Sequence, residues 1–106
     1  DVLLSPTLAQ PPAAVGRYKP TNQDFVDYRN GADGVFAYSP YTAIFNASGQ
    51  PAISLPTYWS ADDLPIGIHL AAEFGADELL LNLSSQIEQN VPWAPKQQQL
   101  IRRLNS

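Results

Sequence analysis

The stretch FNASGQPAISLP, residues 45–56, decides how the chain folds. Gly49 suits the left-handed stop of a helix. Pro51 and Pro56 lack amide hydrogens and fence a short strand between them. Within that strand Ile53 and Leu55 face one way, Ala52 and Ser54 the other. A helix end, a glycine and a strand thus crowd together, and no obvious catalytic group stands among them.

Upstream lies FAYSPYTAIFNASG, residues 36–49. Ser39 before Pro40 suits a helix cap followed by proline at the first helical position. Phe36, Ser39, Ala43 and Asn46 recur at spacings of three and four, which puts them on one side of the segment if its start is also wound. Tyr41, Ile44 and Phe45 take the other sides, so this element is expected to be buried nearly all round. Downstream, TYWSADDLP turns the chain into IGIHL. In that second strand Ile66, Ile68 and Leu70 share one face and Gly67 and His69 the other. The two strands read as a hairpin or as neighbours in a larger sheet.

Further out, GADELLLNLSSQIEQN is the plainest helix, with Leu79, Leu80, Leu83 and Ile87 as its apolar stripe. Asp77 and Glu78 lie where the helix dipole favours negative charge. The tail VPWAPKQQQLIRRLNS follows, with Trp93 as an anchor and an amphipathic turn or two from Gln97 to Leu104. At the other end DVLLSPT reads as a buried strand stopped by Pro6. LAQPPAAVGRYKP is an extended connection, and Thr21 or Asn22 caps a short helix through about Arg29 that carries Phe25 and Tyr28. NGADG ends that helix.

The chain has 106 residues, 44% of them apolar and 15% charged, which is a globular mix of one-domain size. Six Lys and Arg residues and a net charge of −4 argue against a nucleic-acid surface. Arg102 and Arg103 read as a solvated helix end. There is no cysteine, hence no disulfide, thiolate metal site or Cys nucleophile in these residues, and a reducing, cytoplasmic setting fits. No apolar run approaches the ~20 residues of a membrane span. The sequons at Asn46 and Asn82 read as unglycosylated. A chain without Met that opens on a strand is expected to be a piece of a longer polypeptide.

The order of elements is specific. It runs from DVLLSPT through a proline-rich connection to YTAIFNASGQPAISLP, ADDLPIGIHL and GADELLLNLSSQIE. This order resembles the C-terminal portion of the amidase signature family, from Asp1 to about Glu88 and most strongly from Thr42 to Leu70. The resemblance implies an α/β fold, the C-terminal part of a large mixed sheet covered by helices and incomplete on its own. Residues 1–90 would form fold core and 91–106 a C-terminal tail.

The resemblance also implies amide hydrolysis by a serine nucleophile, a second serine in a cis peptide and a lysine. Those groups belong to a Gly/Ser-rich region and an upstream lysine segment that these residues do not contain; the lysines here are Lys19 and Lys96, both in proline-flanked loops. On this reading the quoted stretch is wall and support rather than reactive centre. By position in the family, Phe36, Ser39 and Ala43 would line the acyl side of the pocket, with Asn46 as a fourth that could instead tie the helix end to nearby backbone. No catalytic residue, metal or cofactor is expected here. The implied partners are the N-terminal remainder of the polypeptide, a small-molecule amide and a second copy in a homodimer. A subunit of an amidotransferase, or a binding module without activity, is the alternative.

Two positions depart from the family pattern. Asp62-Asp63 stands where Asp-Gly is common, so a longer or differently shaped turn is expected. His69, the sole histidine, stands where Gln is frequent. As a general base it would need Asp62 or Asp63 and a serine; mid-strand, it reads instead as a packed, hydrogen-bonded histidine. The pairs Asp62-Asp63 and Asp77-Glu78 read as a solvated turn and a helix start rather than paired catalytic carboxylates. Trp59 and Trp93 read as anchors of a loop and a tail.

Overall fold

The computed structural model describes residues 1–19, 21 and 24–106. Its elements are β1 (Leu3–Pro6), α1 (Phe25–Asn30), α2 (Val35–Tyr38), α3 (Ala43–Ser48), β2 (Ala52–Trp59), β3 (Pro65–Ala71), α4 (Asp77–Asn90) and α5 (Ala94–Leu104). The chain is mixed α/β. Its strands form one antiparallel sheet in the order β1-β3-β2, so β2 and β3 are a hairpin with β3 central.

Alternation along the strands gives the sheet two unlike faces. Ile53, Leu55, Ile68 and Leu70 point to α4, where Leu55, Leu70, Ala72 and Leu80 close the core and Leu83, Ile87 and Trp93 pack against it. On α4 the buried residues are Leu80 and Ser84, whose Oγ donates to the Leu80 carbonyl at 2.6 Å. The inward stripe is therefore 80, 83, 84 and 87, the helical spacing of one face. Leu79, expected in that stripe, points outward and is 44% exposed. Asp77 and Glu78 occupy the first turn as expected.

Other expectations need correction. DVLLSPT does form a strand, but not a buried one: Leu3 and Leu4 are 60% and 64% exposed, because β1 is the sheet's edge and only β3 pairs with it. Pro56 does not stop β2. The register slips between Leu55 and Tyr58, where three steps on β2 match two on β3. A bulge of this kind leaves a residue outside the ladder and so tolerates a proline without an amide hydrogen.

The helix expected to run from a Ser39 cap to Gly49 is shorter, and the residues before Ser39 wind as a separate piece. α2 ends with Ser39 as its C-cap, and α3 starts after Thr42. Pro40 cannot continue α2, and the Ser39 and Thr42 hydroxyls lie 3.2 Å apart across the break. Neither piece buries a residue, and Ile44 is 66% exposed, so the segment is not enclosed. Gly49 does end α3 in the left-handed conformation, φ 73°. The early helix is capped by Asp24, whose Oδ1 accepts from Val26 and Asp27; it is not capped by Thr21, and Asn22 lies outside the described residues. The tail helix is longer than expected, eleven residues from Ala94, with Trp93 at its N-cap.

Candidate functional site

The second face of the sheet is polar. The register sets Ser5 opposite His69 and His69 opposite Ser54, a row across all three strands. Ser5 Oγ lies 3.5 Å from His69 Nδ1. Thr7, one step past the end of β1, donates its N–H to the Gly67 carbonyl and sets its Oγ1 2.7 Å from Ser54 Oγ. α3 lies over this row, with the Phe45 ring centred 5.3 Å from the His69 ring.

Between α3 and the sheet is an open hollow of about 400 Å³, lined by Thr7, Thr42, Phe45, Asn46, Ser54 and His69 among others. A second, more apolar hollow of about 500 Å³ adjoins it under the proline-rich connection and shares Thr7 and Ser54. That connection is held by Tyr38, whose carbonyl accepts from Ala9 and whose hydroxyl accepts from Ala13 at 2.9 Å.

His69 is buried, 5% exposed. Burial lowers its pKa below the ordinary 6.5, since desolvation disfavours the imidazolium. The carboxylate a general base would need is elsewhere: Asp63 is engaged by Lys96 and Arg103 of α5. His69 is thus the packed strand histidine expected from its place. The lining of the first hollow carries hydroxyls, amides, an aromatic ring and this imidazole, and no carboxylate or cationic side chain. Such a surface suits an uncharged polar group.

Of the positions expected to line a pocket, Asn46 borders the first hollow. Phe36, Ser39 and Ala43 border neither hollow; Phe36 is 43% exposed on α2 and Ser39 is occupied with Thr42. The helix end is tied down by Gln50, whose Nε2 donates to the Ala72 carbonyl at 3.0 Å, a role expected as one alternative for Asn46. Thr7, Thr42 and Ser54 were not expected at this surface. The signal for Ser54 was present in the strand alternation that puts it on the same side as His69.

An antiparallel hairpin backed by a Leu-rich helix, with a hydroxyl- and imidazole-bearing outer face under a proline-broken helical segment, makes a mixed α/β layer. Residues 1–81 match the family model described as Amidase. AmiC of Mycobacterium tuberculosis is 42% identical over 94 residues, which span 89% of this chain and 19% of that protein. The 6-aminohexanoate-cyclic-dimer hydrolase of Paenarthrobacter ureafaciens is 35% identical over 103 residues, 95% of this chain and 21% of that one. A solved structure of 6-aminohexanoate cyclic dimer hydrolase superposes with a TM-score of 0.75 at 36% identity, covering 88% of this chain and 20% of that chain.

The chain belongs to the amidase family. It spans about a fifth of the length of the curated relatives it matches. Among the described residues no helix is long and apolar enough to cross a membrane.

Proposed function

We propose that these residues are the C-terminal part of an amide hydrolase that splits a small carboxylic amide into carboxylate and ammonia or amine. The observation that carries the reading is the match of residues 1–81 to the amidase family. The relation to a hydrolase of 6-aminohexanoate cyclic dimer, a ring closed by amide bonds, supports it.

The chemistry would come from an N-terminal remainder of the polypeptide. A serine attacks the amide carbonyl, a lysine moves the proton through a second serine, and backbone amides hold the oxyanion. The present residues would form the floor beneath that segment, with Phe36, Ser39, Ala43 and Asn46 toward the acyl side of the substrate. The protein would work in the cytoplasm and as a homodimer.

The test is to express the whole gene product and follow release of carboxylate from simple linear and cyclic amides. Hydrolysis that is lost on replacing a serine or lysine outside these residues supports the reading. Activity that survives such replacements overturns it, as does ammonia transfer that needs glutamine, charged tRNA and partner subunits.

A further inference from the structure

The turn between β2 and β3 is closed by its own hydrogen bonds. Ser60 N–H donates to the Leu64 carbonyl at 2.9 Å, Asp63 N–H to the Ser60 carbonyl at 3.0 Å, and Leu64 N–H to Ser60 Oγ at 3.1 Å. Asp63 has φ 63° and is the sole non-glycine with positive φ among the described residues. Glycine would take this conformation without steric penalty, and aspartate takes it less readily. The turn therefore keeps a glycine-like backbone while presenting a carboxylate.

That carboxylate has a use. Lys96 Nζ donates to its Oδ1 and Arg103 Nη1 to its Oδ2. These two bonds, Lys96 first and Arg103 second, hold the Asp63 carboxyl below its ordinary 3.8. Lys96 and Arg103 are two helical turns apart on α5, hence on one face. Lys96 Nζ also sits 6.0 Å from the Trp59 ring centre on β2.

Within these residues α5 has few other attachments: none of its own residues is buried, and Trp93 at its N-cap packs against the core. A helix of eleven residues is shorter than the ~12–15 that are marginal alone in water. Its winding thus depends on being docked.

We propose that Asp63 is a two-pronged latch for α5. The helix is a strap that stays wound across the β2–β3 turn while both prongs are engaged, and opens from the turn more often when they are removed. The latch is independent of whether the protein hydrolyses amides.

The test is amide hydrogen exchange on the intact protein, comparing the natural sequence with Asp63→Asn and Asp63→Gly. Asparagine keeps the left-handed backbone without the charge; glycine relieves the backbone and also lacks the charge. Both variants should exchange the amides of Gln97–Leu104 up to about tenfold faster, in keeping with paired bridges at a protein surface, with β3 unchanged. Protection of α5 retained in either variant overturns the latch, because the carboxylate would then be dispensable. Acceleration shared equally by β3 overturns it too, because the loss would be of the hairpin as a whole.

Discussion

Thr7 Oγ1 stands 2.7 Å from Ser54 Oγ, bridging the end of β1 to β2 across the central strand. The bridge exists because Gly67 lies beneath it. A Cβ at Gly67 would stand 2.6 Å from Thr7 Oγ1 and 2.7 Å from Ser54 Oγ, with Thr7 Cβ at 3.2 Å. Neither short side chain can yield without breaking the bridge. Gly67→Ala should therefore lower the stability of the intact protein by about 1–3 kcal/mol, the usual penalty for overpacking, read as a lower denaturation midpoint. Thr7→Ala in the same background should recover part of the loss.

His69 makes stability depend on pH. Its folded pKa is lowered by burial from the ordinary 6.5, so the unfolded chain takes up a proton before the folded one does. Stability is then complete above 6.5 and falls as pH drops from 6.5 toward the lower folded value. Asp63 acts in a separate, more acid window, because its contribution is present above 3.8 and is lost as pH falls toward its own lowered value. His69→Gln should flatten the first decline and leave the second in place. Denaturation midpoints measured at pH 7.5, 6 and 5 would show it; a decline unchanged in the glutamine variant would remove His69 as its source.

The core between sheet and helix rests on few side chains. Leu80 is 3% exposed and meets Leu55 and Leu70, each 4% exposed. Leu80→Ala leaves a cavity that the paired strands cannot collapse to fill, and should destabilise the intact protein by about 2–5 kcal/mol. Leu79→Ala, one position away and 44% exposed, should change stability by well under about 1 kcal/mol. Equal effects at the two sites would contradict the orientation of α4.

What the sequence disclosed follows from where its signals are local. Strand alternation placed His69 and Ser54 on one face and Ile68 and Leu70 on the other, and Gly49 marked a real helix end. Pro40 was the harder case. As a cap signal it argued for one helix starting at Ser39, whereas it divides two short helices, because proline ends a preceding helix as readily as it starts one. Pro56 misled similarly, since a bulge absorbs a proline that a regular ladder would reject. The Asp63 latch is a contact between residues 33 and 40 positions apart, and no local pattern announces it. Of the expected pocket residues, Asn46 alone borders either hollow, and the break after α2 takes Phe36 and Ser39 out of the helix that carries it.

By itself the 106-residue chain is loosely packed. Its accessible surface is 7559 Å², where a compact protein of its mass would show roughly 5,800 Å². Its radius of gyration is 16.1 Å, against about 13 Å for a compact chain of this length. Leu3 and Leu4 on β1, Ile44 on α3 and Phe74 in the turn before α4 are all at least 60% exposed. Apolar area left in water gives no driving force to a cooperative transition. The isolated chain should therefore unfold over a broad temperature range and bind a hydrophobic dye before melting, while the same residues inside the intact protein should be protected. Calorimetry and dye fluorescence on residues 1–106 decide the matter, and a single sharp transition without dye binding would mean that this surface is not waiting to be covered.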